Sequence, residues 1–285
     1  MAVVRLRSLG DCVLTTPALE ILKRSRADLE VGVVVEETYA AVFEANPEVD
    51  ALLAPSVRAL RRWRPQLCLN LHGGTRSVAL TALSGAPIRA GFGHFRHAWV
   101  YNVRIPRAQE ILGVARKVHT AEHLASAMFY LGAERIEIPR AKLYAGGGGS
   151  EALVVMHPVA SERDKTWPAQ KFLAVARRLK METVFIGGAR DDLRAFGEFR
   201  TMAGAPLEEI KSLLSRACLF IGNDSGPAHM AAALGVPSVV IFGASDVEIW
   251  GPWKAAAEAL VARGPIEEVE EGEVLKAVER LRVAA

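Results

Sequence analysis

The sequence predicts an α/β protein in two halves, each a parallel sheet with helices packed on its faces. Three observations carry this. Short apolar runs alternate with helix-like segments over the first 145 residues, Gly146-Gly147-Gly148-Gly149-Ser150 interrupts them, and the same alternation restarts at Ala152. Parallel strands cannot be joined by a tight hairpin, so strand, helix, strand in repetition is the pattern that βαβ crossovers require. Four consecutive glycines favour neither helix nor strand, so residues 146–150 read as a flexible connection between domains 1–145 and 151–285.

Each element has its own reason. Residues 3–6 are an apolar strand, and Arg7-Ser8-Leu9-Gly10-Asp11 turns it into an amphipathic helix running to about Arg24. Apolar runs at 31–35, 51–53 and 66–71 are further strands, separated by helical patterns at 39–45, 57–62 and 76–83, and a helix follows at 118–131. In the second half, strands are expected at 152–156, 183–186, 218–221 and 238–242. Helices are expected at 168–179, opened by Pro168, at 191–200, 207–214 and 227–234, and at 273–282, the last packing back on the first domain.

Composition narrows the function classes. The chain has 285 residues, 51% of them apolar, enough for two cores, and no apolar run approaches the ~20 residues of a membrane-spanning helix. An N-terminal core strand in place of a cleavable leader leads us to expect a cytoplasmic protein. Cys12, Cys68 and Cys218 are odd in number and widely spaced, which suggests neither a disulfide framework nor a metal cluster. Cys12 at a helix start is a weak nucleophile candidate. His119 and His123 lie one helical turn apart, but no carboxylate or cysteine set completes a metal site, so no metal and no cofactor is expected. Up to Ala145 there are 19 basic against 13 acidic residues, and 16 against 19 thereafter, within a net charge of +3. A basic first half suits an anionic saccharide or lipid-linked acceptor, or peripheral contact with the inner membrane face; a solvated helix face at residues 58–64 is the plain alternative. Nothing resembles a nucleic-acid-binding module.

Two turns are suited to chemistry. Phe220-Ile-Gly-Asn-Asp224-Ser225-Gly226-Pro227-Ala-His229 takes a strand into an Ala-rich helix, and a helix N-terminus presents free N–H groups and partial positive charge to a phosphate. Asp224 or Ser225 acting only as a helix cap is the competing reading. At the other end of the chain, Gly10 and Asp11 fall beyond a strand's carboxyl end, where open sheets bind ligands; Asp11 is there either a base or a cap. Neither glycine turn fits G-x-G-x-x-G, which disfavours a nicotinamide dehydrogenase.

Three segments resemble glycosyltransferase family 9, the ADP-heptose:lipopolysaccharide heptosyltransferases. These are Val4-Arg5-Leu6-Arg7-Ser8-Leu9-Gly10-Asp11 with Thr16-Pro17-Ala18-Leu19; His157-Pro158-Val159-Ala160-Ser161 leading to Lys165-Thr166-Trp167-Pro168; and Asn223 to His229 through Phe242-Gly243-Ala244-Ser245-Asp246 to Trp250-Gly251-Pro252. The resemblance implies a GT-B fold, two Rossmann-like domains facing across a cleft that closes about the glycine linker. It implies an inverting, metal-independent transfer of a heptose or related sugar from a nucleoside diphosphate, ADP by expectation, to a lipopolysaccharide-core or other acceptor.

The same resemblance makes Asp11 the general base and places Ser161, Lys165, Asp224, Ser225, Gly226 and His229 on the donor diphosphate. Ala205, in Gly204-Ala205-Pro206, falls near the base; this segment replaces the family's usual glycine followed by Ser or Thr, and the chain is short between residues 188 and 207. Ser8, Gly10, His72 and Arg96 are acceptor-side candidates. Lys165 is alternatively a surface lysine, and His229 alternatively pairs with a carbonyl in its own helix. Trp63, Trp99, Trp167, Trp250 and Trp253 read as packing residues. Two rival functions share the fold: a nucleotide-sugar 2-epimerase, and a non-catalytic nucleotide-sugar binding protein.

Overall fold

The computed structural model describes residues 1–146 and 151–281. Most of the Gly-rich connection and the expected end of the last helix at 282 lie outside them. The chain divides between Tyr144 and Ala145 into two units.

Unit 1 contains strands β1 (Ala2–Val4), β2 (Gly32–Val34), β3 (Ala51–Leu53), β4 (Leu67–Asn70), β5 (Ile88–Phe92) and β6 (Val103–Ile105). Its helices are α1 (Leu9–Ser25), α2 (Val57–Trp63), α3 (Thr75–Leu83), α4 (Ala108–Leu112) and α5 (Thr120–Tyr130). The sheet order is β3-β2-β1-β4-β5-β6 and every pairing is parallel. Strands β5 and β6 were not expected. Ile88 and Arg89 sit at the exposed start of β5, so its apolar signal is only a few residues long. The expected helix at 39–45 is a 3-10 turn, Glu37–Val42.

Helix α1 is not amphipathic: residues 12–22 are all buried, because α5 packs on it. Pro17 inside it cannot donate to the Val13 carbonyl, and the Thr16 hydroxyl donates there instead at 2.9 Å. That substitution explains how a helix with an internal proline runs unbroken through a core.

Unit 2 repeats the plan with β7 (Glu151–His157), β8 (Glu182–Gly187), β9 (Arg200–Ala203), β10 (Ala217–Asn223), β11 (Ser238–Phe242) and β12 (Ala257–Val261). Its helices are α6 (Ala169–Leu179), α7 (Leu207–Arg216), α8 (Gly226–Leu234), α9 (Val247–Trp250) and α10 (Glu271–Arg280). The sheet order is β12-β11-β10-β7-β8-β9, again all parallel. Read from its own first strand, this is the same doubly wound order as unit 1, so each sheet reverses direction once, between β1 and β4 and between β7 and β10. Trp167, Phe172, Phe185, Leu219 and Ile241 belong to its core, and Val274 and Ala277 bring α10 onto α6, β11 and β12.

The helix expected at 191–200 does not form. Asp191 accepts from the Gly188 N–H at 2.6 Å and Asp192 pairs with Arg194, leaving one 3-10 turn, Arg194–Phe196, before β9. Short polar side chains that bond locally to the backbone compete with helix, and here they win.

Candidate functional site

Each sheet's point of reversal gathers polar groups, and the two are built differently. In unit 1, Arg5 stands one residue past β1, where its side chain is 5% exposed and lies 3.7 Å from Asp11 in the first turn of α1. Burial pulls the Arg5 guanidinium below its ordinary value, with Asp11 acting in the opposite direction, and its Nε has no partner. Ser8, at the start of α1, has φ 75°, a left-handed conformation rare for a residue with a side chain, and its hydroxyl makes no capping bond. Asp11 is therefore not a cap: it sits inside the helix, facing a buried cation, with Gly10 beside it.

His72 follows β4 and joins this group. Its pKa is lowered by burial first and then by Arg5, with Asp11 opposing, and its Nδ1 is buried without a partner. The turn that presents it is set by Asn70, whose Oδ1 accepts from the His72 and Gly73 N–H groups at 2.9 and 3.1 Å. Asn70 Nδ2 donates to Ser77 and to the buried Tyr101 hydroxyl. Arg96 is not part of this cluster. It is exposed on the neighbouring 93–97 loop, whose Phe95 ring lies against Gly73. His94 belongs to an aromatic group with Phe92 and His123, in which Phe92 and His123 stack at 4.0 Å and burial pushes His123 down to about 4. His119 caps α5 through Nδ1, and no metal-holding set of three His, Cys, Asp or Glu occurs among the described residues. Cys12 is fully buried and its thiol is pushed up to about 12, which removes it as a nucleophile.

In unit 2, Ser225 stands at the N-cap of α8 in an extended conformation, yet its side chain does not cap the helix. Its hydroxyl lies 3.0 Å from Nδ1 of His157, the last residue of β7. Burial pushes His157 down to about 4, so the ring is neutral. The helix-cap reading of Ser225 thus fails, and Asp224 stands one residue ahead of the cap position. In that first turn the Ala228 N–H donates to the Ser225 carbonyl at 3.1 Å and Pro227 has no N–H, which leaves the Gly226 N–H turned toward the loop.

A second tie runs the other way. Asn223, the last residue of β10, is fully buried, and its Oδ1 accepts from the Trp167 N–H at 2.9 Å. Trp167 is itself buried and donates to the Val269 carbonyl at 2.9 Å. The turn leading into it, Arg163–Lys165, is also wedged from behind: a Cβ on Gly243 would lie 2.0 Å from the Asp164 carbonyl oxygen. Only glycine allows that approach. The turn lines a cavity of about 730 Å³ with Gly243, Ala244 and residues 264–267.

The turn aims Lys165, whose Nζ is 3.5 Å from Glu162 and whose side chain is 26% exposed. Burial raises the Asp224 carboxyl, offset by Ser245 and by the charge of Lys165 nearby, although Ser245 Oγ makes no bond of ordinary hydrogen-bond geometry. His229 is buried in α8, and Ser161 is exposed on the loop after β7. Gly204, with φ 70°, donates to the Gly187 carbonyl and sets Ala205 beyond the ends of β8 and β9. Lys165, Asp224, Ser225 and Gly226 are thus gathered at one end of the unit 2 sheet.

Arg5, His157, Asn223, Ser245 and Gly243 complete these arrangements without having been singled out as candidates, although all five lie within the quoted motifs. The available signal was a polar residue closing an apolar strand: Arg5 after Val3-Val4, Asn70 after Leu67-Cys68-Leu69, His157 after Val154-Val155-Met156 and Asn223 after Phe220-Ile221-Gly222. One packing expectation also fails. Trp99 is 75% exposed, while Trp167 is buried and Trp63 donates to the Met1 carbonyl.

Two doubly wound parallel sheets in one chain, each with its polar loops at the point of reversal, define a GT-B type α/β protein. The chain belongs to glycosyltransferase family 9 (heptosyltransferase), whose sequence profile matches residues 55–278, and it is accordingly a glycosyltransferase. The matched span contains Lys165 and the 224–229 loop and begins beyond Asp11. The chain is similar to lipopolysaccharide heptosyltransferase 3 of Escherichia coli, at 27% identity over 86% of this chain and 83% of the relative. It is also similar to lipopolysaccharide heptosyltransferase 1 of Campylobacter coli, at 23% identity over 86% and 84%. Among solved structures, a family 9 glycosyltransferase of Veillonella parvula aligns with TM-score 0.85 and 24% identity over 98% of this chain and 96% of its own. An E. coli heptosyltransferase with ADP aligns with TM-score 0.81 and 18% identity over 99% and 100%.

Proposed function

We propose that the chain moves a heptose or related sugar from a nucleoside diphosphate, ADP by preference, to a lipopolysaccharide-core or other saccharide or lipid-linked acceptor, with inversion and without a metal. The observation that carries this reading is the uncapped N-terminus of α8, with Ser225 drawn to His157 and Lys165 close to Asp224. A family 9 chain whose α8 takes no side-chain cap from Ser225, beside a lysine, has groups that a departing diphosphate can use.

In this proposal unit 2 holds the donor: Lys165, Ser225, Gly226 and His229 meet the diphosphate, with Ser161 and Asp224 on the same loops and Ala205 near the base. Unit 1 supplies the base. The Asp11 carboxylate takes the proton of the acceptor hydroxyl as its oxygen attacks the anomeric carbon. The bond from that carbon to the phosphate oxygen breaks, its electron pair leaves with the diphosphate, and attack from the opposite face inverts the centre. Ser8, Gly10 and His72 lie with Asp11 on the acceptor side. Between Asp50 and Glu110 the chain carries nine arginines and no carboxylate residue, which supports an anionic acceptor, Arg96 included. No helix among the described residues is long and apolar enough to cross a membrane; action at the cytoplasmic face of one, through peripheral contact, belongs to the same proposal.

Calorimetric titration with ADP, UDP, GDP and dTDP tests the donor assignment, with ADP expected to bind tightest. Incubation with ADP-heptose and a heptose-deficient lipopolysaccharide acceptor then tests transfer. Binding of none of the four nucleotides would remove the reading. Epimerised sugar without acceptor would favour the 2-epimerase alternative, and donor binding with no transfer to any acceptor would favour a binding protein.

A further inference from the structure

The two central strands of unit 2 hold each other's loops. Asn223 at the end of β10 grips the turn that follows β7, and His157 at the end of β7 grips the loop that follows β10. The strands are registered so that Gly222 pairs with His157, and a Cβ at Gly222 would meet the Phe220 ring at 2.7 Å and the His157 carbonyl at 3.1 Å. Close approach at that point delivers the imidazole to Ser225.

A neutral imidazole has one N–H, and its position decides what the serine can do. If Nδ1 is bare, the Ser225 proton is spent on it, and the hydroxyl offers only lone pairs to whatever lies at the start of α8. If Nδ1 carries the proton, it donates to Oγ, and the hydroxyl proton is free to point at an anion. An oxygen presenting lone pairs beside a phosphate is repulsive, whereas a hydroxyl donating to a charged oxygen forms one of the stronger hydrogen bonds.

We propose that His157 is a positioning residue for the donor site: it donates from Nδ1 to Ser225 Oγ, holding the hydroxyl off the helix cap and turning its proton toward a phosphate oxygen of a nucleoside diphosphate. This rests on the donor-binding reading of the 224–229 loop and adds a residue to it. The ring is buried and is proposed to act through Ser225.

The test is titration of ADP into the full chain and into the His157→Leu, His157→Asn, Ser225→Ala and His157→Leu/Ser225→Ala variants, each shown folded by thermal unfolding. The Asn amide nitrogen can occupy the place of Nδ1 and donate as it does. His157→Leu and Ser225→Ala are each expected to weaken ADP about tenfold, and the double variant no more than either alone, while His157→Asn stays within about threefold of wild type. Nitrogen chemical shifts of the ADP complex should show Nδ1 protonated and Nε2 bare. Wild-type affinity in a folded His157→Leu, losses that multiply in the double variant, a folded His157→Asn as weak as His157→Leu, or the opposite tautomer would each overturn the proposal. A wild-type protein that binds none of the four nucleotides would instead remove the donor reading beneath it.

Discussion

The two points of sheet reversal share a strand order and differ in how their loops are held. In unit 1 each central strand serves its own loop: Asn70 shapes the turn immediately after β4, and Arg5 faces Asp11 in the helix immediately after β1. In unit 2 the ties cross, Asn223 to the loop after β7 and His157 to the loop after β10. Crossed ties make two loops one rigid piece, the arrangement that the proposed diphosphate site calls for. Local ties leave each loop independent, and the proposed chemistry there rests on one carboxylate. The polarity differs as well: the unit 1 group is an ion pair with one side buried, whereas the unit 2 pair is neutral.

The largest expected effect tests whether the ionic group carries the chemistry. Asp11→Asn should lower the rate of sugar transfer by about 10²- to 10⁴-fold while leaving ADP affinity unchanged, measured as turnover and by calorimetry. Retained turnover would move the base elsewhere and leave Arg5 and Asp11 as a structural pair. Lys165→Ala should act on the other side, lowering kcat/KM about 100-fold with weaker ADP binding.

The pH dependence of folding sharpens the comparison, because each unit holds one histidine pushed down by burial to about 4, the partly buried His123 and the buried His157, against an ordinary value of 6.5. Between those values the unfolded chain binds the proton that the folded chain refuses. Their destabilising effect is therefore absent above about pH 6.5 and grows as pH falls toward 4, by up to about 3 kcal/mol for each ring. Urea unfolding at pH 7 and pH 5 should show a reduced loss for His123→Asn and for His157→Asn. A loss unchanged in either variant would mean that its ring titrates normally.

The smallest expected effect concerns the wedge behind the Lys165 turn. Gly243→Ala puts a methyl group against the Asp164 carbonyl, so the turn must shift. Thermal unfolding should show about 1–3 kcal/mol lost, and KM for the donor should rise several-fold with kcat less affected. A variant with wild-type KM would uncouple the turn from donor binding.

Much of this was legible in the residues. Apolar runs that end in polar turns are a local property, and Ala51–Leu53 and Ser238–Phe242 were read to the residue. Short edge strands such as β6, β9 and β12 escaped because three to five partly exposed residues carry little pattern. The helix expected at 191–200 failed because Asp191 and Asp192 bond locally. Amphipathicity was misread in α1 because a helix whose residues 12–22 are buried, with α5 packed on it and Lys142 bonded to Thr16 and Glu20, needs no polar face there. Asp11 and Lys165 were singled out through motif order. Arg5, His157 and Asn223 were not singled out, since what they hold lies far along the chain or is decided by side-chain direction.

By itself the sequence determined that there are two α/β halves and where most central elements lie, because periodicity and turn chemistry act over a few residues. Only the tertiary structure decided that Ser225 faces His157 and not its own helix, that Trp167 hangs from Asn223, and that Arg5 is buried against Asp11. Those pairings depend on which strands lie side by side, and strand order is settled by packing a whole sheet.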